Sequence, residues 1–489
     1  MKMILQKRTM NRKSFDALMA EAEELVNSKS IEFLADENWE KLDDSWKGYL
    51  EGSSLEDLVA LLNSQDPPEA APESLKLLKS RLTSLEYSRT CVKDPEELWR
   101  CWTGVKRDSD DLEKQFQVMT ANGVIRKRIK AKKQHEIDRI VELIAQIQRF
   151  FGERGEPIDS LVDIGAGVGH LSRIISLKNK LAVMAVEGNQ QFTLAANCLD
   201  EKLVQESARL GRNSNSERKE EMELDFANSP IRFTSFVTEE LSSTIDTFSR
   251  QSAILVGLHC CGDFSSTILK VFRNSEKAKA LVLLGCCYHK QFQCFHFLHP
   301  KTNENDEAEE KDLPNPICSV FPLSQKWAGC ELSYVAREMA CHNNENIQER
   351  FQNTDISRYA RAHLEQWIWK ITEDSEDRNI GMCSVKCEEG KTTFEEYIRK
   401  AMAKRGSHLL PKILETIPPT TLSTLVSTFR CPRFDAFDIT RMLFAPCIES
   451  AILDDRVEYL RENGIRADVV PLFEATISPR NLAIVAYKV

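Results

Sequence analysis

The 489-residue chain carries a formal net charge of −10, with 29% charged and 42% hydrophobic residues. That composition describes a soluble globular protein, and the length suits two or three ordinary domains or one large domain with insertions. The acidic balance argues against wholesale adhesion to nucleic acid, although it leaves room for a local basic groove. No apolar run reaches the length of a membrane span, and Gln6, Lys7 and Arg8 interrupt the apolar start, so no secretory signal is expected. Fifteen cysteines is an odd number, and Cys260-Cys261 and Cys286-Cys287 fall in apolar runs. Reduced, largely buried thiols in a cytosolic or nuclear protein are therefore expected.

Residues 1–115 read as an N-terminal helical domain. Leu18, Met19, Ala22, Leu25 and Val26 recur at helical spacing, as do Leu55, Leu58, Val59, Leu61 and Leu62. Ser54 ahead of Glu56 and Asp57 marks a helix start, and the proline-rich stretch from Gln65 to Pro72 reads as a stiff linker. Trp39, Trp46, Trp99 and Trp102 are expected to be packing residues of this domain. Six of the eight residues from Arg126 to Lys133 are basic, and they open a helix running towards Phe150. A solvated helix start, a nuclear-import signal and a phosphate-contacting patch all suit that cluster.

A strand at Leu161-Val162-Asp163-Ile164 then meets the turn Gly165-Ala166-Gly167-Val168-Gly169, and a helix follows from Leu171. Alternate glycines let the backbone bend tightly and approach a ligand, which the free N–H groups of the helix start then face. The dinucleotide fingerprint would need a glycine at His170. The chain reads Asp163-x-Gly165-x-Gly167-x-Gly169 instead, similar to the first motif of class I methyltransferases, which hold S-adenosylmethionine. A second strand, Leu181–Val186, runs into Glu187, whose carboxylate is placed to accept both ribose hydroxyls. Asp163, Gly165, Ala166, Gly167, Gly169 and Glu187 are thus the candidate cofactor residues.

A helix is expected over Gln190–Glu206, a polar insertion over Arg209–Asn228, and strands over Ile231–Val237, Ala253–Leu258 and Ala280–Cys287. The parallel strand ends should converge on one crevice. After an acidic loop, Asn303–Asp312, helices are expected over Glu331–Phe351, Ile356–Ile371 and Phe394–Ala403. A helix over Ile439–Glu462 precedes strands Ala467–Leu472 and Leu482–Tyr487, which a short turn makes antiparallel neighbours. The fold expected is α/β, a Rossmann-like class I methyltransferase sheet, mostly parallel with a terminal antiparallel hairpin. Its parts would be the helical domain 1–115, the sheet core 116–290, an acidic loop and helical insertion 291–435, and core completion 436–489.

In Lys132-Lys133-Gln134-His135-Glu136, Gly257-Leu258-His259-Cys260-Cys261-Gly262-Asp263 and Cys286-Cys287-Tyr288-His289, the chain resembles the methyltransferase-like protein 25 family, also labelled ribosomal RNA adenine dimethylase domain-containing. Phe321-Pro322-Leu323-Ser324, Ala336–His342 and Ser478-Pro479-Arg480-Asn481-Leu482 extend the likeness nearly end to end. A looser likeness to tRNA 2′-O-methyltransferases lies in the Lys-Lys-x-His-Glu, Cys-Gly and Cys-Cys-x-His segments. The resemblance implies S-adenosylmethionine binding and methyl transfer. Adenine-N6 enzymes place Asn/Asp-Pro-Pro-Tyr/Phe at the fourth strand end, where this chain has His259–Asp263, and Pro314-Asn315-Pro316-Ile317 follows the fifth strand without an aromatic residue. Adenine dimethylation is therefore not expected.

His259 is the candidate general base, since imidazole titrates near neutral pH. Asp263 would orient it or contact the cofactor amine, and His289 at the fifth strand end is a third catalytic candidate. Lys133 and His135 would contact the cofactor carboxylate or an acceptor phosphate. His259, His289, His296 and His299 lie near Cys260, Cys261, Cys286, Cys287 and Cys294, but no C-x-x-C pair occurs there and Cys383-x-x-x-Cys387 stands alone. Buried thiols, and no metal, are the expectation. RNA is the acceptor expected, contacted through Arg126–Lys133; a protein substrate and a non-catalytic scaffold are the alternatives.

Overall fold

A computed structural model describes residues 10–64, 67–104, 129–178, 181–213, 229–290, 321–342, 344–352, 356–378, 384–404 and 406–488. The acidic loop 303–312, most of the polar insertion 209–228, Arg126–Arg128, Cys294, His296, His299, Cys383 and the segment 314–317 lie outside these residues.

The chain divides into two compact units. One comprises Met1–Arg12, Tyr87–Leu332 and Glu449–Val489, and the other Lys13–Glu86 and Ser333–Ile448. This differs from the expected partition in two places. The segment from Tyr87 belongs with the sheet, because Trp102 and Phe150 pack edge to face at 5.0 Å and both meet the ring of Tyr487 in the last strand. The N-terminal helices and the inserted helices, read as separate domains, form one unit.

The sheet unit has strands β1 (Ser160–Ile164), β2 (Ala182–Glu187), β3 (Ile231–Thr234), β4 (Ala253–Cys261), β5 (Ala278–Cys286), β6 (Arg466–Pro471) and β7 (Leu482–Tyr487). Their order is β3-β2-β1-β4-β5-β7-β6. The first five are parallel, and β7 runs antiparallel to both β5 and β6, as the short final turn required. This is the Rossmann-like methyltransferase arrangement. The winding reverses between β1 and β4, which opens a crevice at their carboxyl ends.

Among the described residues, seven α-helices serve this unit: α1 (Pro95–Thr103), α2 (Ala131–Gly152), α3 (His170–Lys178), α4 (Gln190–Asn213), α5 (Leu241–Phe248), α6 (Asp263–Asn274) and α7 (Ala445–Glu462). Neighbouring strand residues point to opposite faces. Leu161, Ile254, Val282 and Val485 join one core with Trp99, Ile144 and Phe150, while Val162, Leu255, Leu283 and Ile484 join another with Phe272 and Leu460. A sheet covered on both faces explains why the strands read as unbroken apolar runs. The single helix expected over Ile439–Glu462 is two, Pro432–Met442 and α7. The break at Leu443-Phe444 leaves Pro446 in the first turn of α7, where its missing N–H costs no helical bond.

In the second unit, the helix Leu55–Asn63 begins on a capping box between Ser54 and Asp57, the start expected from sequence. Its inserted half packs Leu364, Phe394, Ile398, Ile413 and Val426 into a separate core. No helix among the described residues is long and apolar enough to cross a membrane.

Candidate functional site

The glycine turn is built as its spacing requires. Gly165, Gly167 and Gly169 hold φ of +77°, +56° and +71°, a region in which an L side chain is strained. The N–H groups of Gly165 and Ala166 donate to the Val186 carbonyl at 2.9 and 3.1 Å, which fastens the turn to the end of β2. A Cβ on Gly169 would sit 2.2 Å from the Arg232 guanidinium, itself anchored by Asp200, whereas nothing lies within 4 Å of the Cβ position of Gly167. Gly169 is needed for internal packing; the open side of Gly167 is where a ligand can approach.

Glu187 closes the other side of the turn. Its Oε2 accepts the Gly167 N–H at 2.7 Å and its Oε1 accepts the Asn189 N–H at 2.9 Å. The two donors fix the plane of the carboxylate, and each oxygen keeps lone-pair capacity for a diol. Exposed Phe236 lies against Gly188, its ring 3.2 Å from where a Cβ would be. An accessible aromatic face next to a ribose-binding acid suits a planar heterocycle. Sequence reading passed over Phe236, because a lone aromatic beyond a strand end carries no spacing signal.

The second feature lies at the end of β4. His259 has φ +65°, and the β4–β5 register shifts between Leu258 and Cys260. The extra residue is a bulge. Leu258 faces one core and Cys260 the other, although two residues apart they should share a face. The bulge re-aims the imidazole, whose Nε2 lies 3.0 Å from Oε1 of Glu136. Glu136 sits on the second turn of α2 and is almost wholly buried. The Ser478 hydroxyl also donates to Oε1, at 2.8 Å, and Lys133 Nζ lies 3.5 Å from Oε2. Burial pushes this carboxyl up, but the His259 hydrogen bond and charge, the Ser478 hydroxyl and Lys133 outweigh it and hold it at about 2. An ionised Glu136 only accepts, so His259 donates through Nε2–H, and the neutral imidazole then carries its lone pair on Nδ1.

Several assigned roles need correction. The carboxylate that orients His259 is Glu136, not Asp263. Asp263 is buried in the first turn of α6, within electrostatic reach of the buried Arg456. His135 serves the β6–β7 loop instead of the cofactor, since its Nε2 accepts the Glu474 N–H at 3.0 Å and its ring meets Phe473. Burial lowers its basicity. Asp163 is buried and accepts from the Ser172 hydroxyl, so it braces the turn from beneath; burial raises its carboxyl against that bond and the charge of Lys133. Lys133 stays at the site through Glu136. His289 is half-buried on the 3-10 turn Tyr288–Lys290.

The strand-end cysteines meet the expectation of largely buried thiols only in part. Every cysteine among the described residues is free, and Cys260 is buried, but Cys261 is exposed and Cys287 half-buried. The Cys286 hydrogen bond, working against burial, holds the Cys261 thiol below its ordinary value, at about 6.

The cofactor expected from sequence fits these residues. The open Cβ side of Gly167, the fixed Glu187 carboxylate and the accessible Phe236 would hold the turn-facing edge, sugar and base of S-adenosylmethionine.

Comparison with known proteins agrees with this geometry. Residues 132–293 match a family described as a methyltransferase domain. The chain is similar to the probable methyltransferase-like protein 25 of Homo sapiens, 30% identical over 269 residues, which cover 52% of this chain and 40% of that one. The Mus musculus protein of the same name is 28% identical over 338 residues, 64% of this chain and 51% of its own length. The chain thus spans about half or less of the curated relatives it matches. A solved magnesium protoporphyrin IX methyltransferase from Synechocystis PCC 6803 with bound SAH covers 42% of this chain and 80% of its own, at 14% identity and a TM-score of 0.20, too low to carry an argument.

Proposed function

We propose that this chain, whose residues 132–293 match a methyltransferase-domain family, transfers a methyl group from S-adenosylmethionine to RNA. The observation that carries the reading is the meeting of two pairs along one sheet edge: Gly167 with Glu187 after β1 and β2, and His259 with Glu136 at the end of β4. When bound, the donor supplies an electrophilic methyl on a sulfonium. The residues of the chain do the rest. Glu187 and the glycine turn position the donor. His259 Nδ1 takes the proton from an acceptor O–H or N–H as the bond to carbon forms, and Glu136 holds the tautomer and balances the imidazolium.

RNA is favoured as the acceptor by the start of α2. Lys130 and Lys132 are exposed there and Lys133 is half-buried, and the last two lie about one turn from the carboxylate that grips His259. A phosphate held by these cations would lie beside the proposed base. The net charge of −10 favours a basic peptide instead, which makes protein the second reading.

The test is tritiated methyl transfer by the purified chain into lysate from cells that lack it. Label removed by nuclease and retained through protease is the expected result. Label that survives nuclease and is lost with protease overturns the RNA acceptor, and no label in either fraction overturns transfer altogether.

A further inference from the structure

We propose that Cys261, Cys286 and Cys287 form a binding site for zinc(II). Their three sulfur atoms all lie within 4.8 Å of one another, with Cys261 Sγ 3.1 Å from Cys286 Sγ and 3.5 Å from Cys287 Sγ. Thiolates at about 2.3 Å from a tetrahedral zinc ion are about 3.8 Å apart, so the two Cys261 spacings lie about 0.7 and 0.3 Å under the one required, a gap that small side-chain rotations close.

The backbone explains why the thiols meet. Cys261 and Cys286 are register partners at the ends of β4 and β5. Cys287 takes φ +50°, costly for a residue with a Cβ, and this turns its thiol towards the same point. Gly262 fixes the opposite side: its N–H donates to the Cys286 carbonyl, and a Cβ on it would lie 2.6 Å from the Lys290 carbonyl oxygen. Cys260 takes no part, because the bulge at His259 turns it into the core. The site is graded from buried Cys286 through half-buried Cys287 to exposed Cys261, which gives an ion a route in.

Three sulfur donors select a soft or borderline d10 cation over magnesium or calcium. They leave one position of a tetrahedron for water or an acceptor group. Loaded, the ion ties β4 to β5 two residues from His259. The ligand pattern, one cysteine and then an adjacent pair 25 and 26 residues later, contains no C-x-x-C, so a scan of spacing misses it.

The test is a cobalt(II) titration of the full chain, stripped of metal and kept reduced. A thiolate-to-cobalt charge-transfer band saturating at one equivalent and bleached by zinc is expected. Cys261→Ser and Cys287→Ser should each weaken cobalt binding at least tenfold, whereas Cys198→Ser, on the exposed face of α4, should leave it intact. A folded wild-type chain with no such band overturns the site, whatever the variants do. So does a band unchanged in both serine variants.

Discussion

Oε1 of Glu136 and Nε2 of His259 lie 3.0 Å apart although 123 residues separate them in the chain. The contact unites a helix that precedes the sheet with the bulged end of its fourth strand. It fixes the orientation of a strand-end histidine against a carboxylate that Lys132 and Lys133 also face, at 3.8 and 3.5 Å.

If His259 removes the acceptor proton, His259→Ala should lower the rate of methyl transfer by about 10²- to 10⁴-fold, the range for loss of a general base. Glu136→Gln should cost roughly ten- to a hundredfold by loosening the imidazole without deleting it. Neither change touches the glycine turn, so calorimetric affinity for the donor should stay at the wild-type value. Full turnover by His259→Ala would remove His259 from the chemistry.

Glu187→Ala should have the converse signature. It deletes the carboxylate proposed to hold the sugar and also frees the Gly167 and Asn189 N–H groups that the carboxylate now orders. Charge-assisted hydrogen bonds are each worth about 1.5–3 kcal/mol, so donor affinity should fall about ten- to a hundredfold by calorimetry. An unchanged dissociation constant would show that the sugar is held elsewhere.

The donor half of the site was readable because it is local. Asp163, three alternate glycines and Glu187 lie within 25 residues, and strand and turn chemistry alone places them. The half built on His259 and Glu136 was not. Glu136 stands in a run of lysines and reads as a solvated helix start, and nothing in the sequence brings Ser478 and His259 to it. The bulge that aims His259 is equally silent, since Leu258-His259-Cys260 reads as ordinary strand. The same limit misplaced Tyr87–Thr103: amphipathic Trp99 and Trp102 suit any helical core, and only Phe150 and Tyr487 show which one they join. The terminal hairpin was legible because Ser478-Pro479-Arg480-Asn481 allows too few residues for a parallel crossover.

His363 makes the second unit sensitive to acid. Its ring stacks on Phe429 at 4.1 Å, and burial holds it at about 4, below the ordinary 6.5. Below 6.5 the unfolded chain binds a proton that the folded chain refuses. The stability from neutral His363 is therefore fully present above pH 6.5 and lost as pH falls towards 4. The melting temperature should drop over that interval, and His363→Phe should flatten the drop relative to wild type. Parallel curves for the two proteins would contradict the assignment.

Two glycines two residues apart should separate folding from binding. Gly169→Ala puts a methyl 2.2 Å from a guanidinium that can retreat only by loosening its pair with Asp200, at 2.7 and 2.8 Å. The clash adds to the cost of φ +71°, about 1–2 kcal/mol for a residue with a Cβ, so this variant should melt well below wild type. Gly167→Ala carries the same kind of backbone cost at φ +56°, but its methyl enters open space. It should therefore lose only the backbone cost in stability, while the methyl blocks the surface a donor must approach. Thermal melts and donor calorimetry on both variants decide the matter. Gly167→Ala should melt above Gly169→Ala yet bind donor at least tenfold more weakly than wild type. Wild-type donor affinity in Gly167→Ala would move the ligand away from the glycine turn.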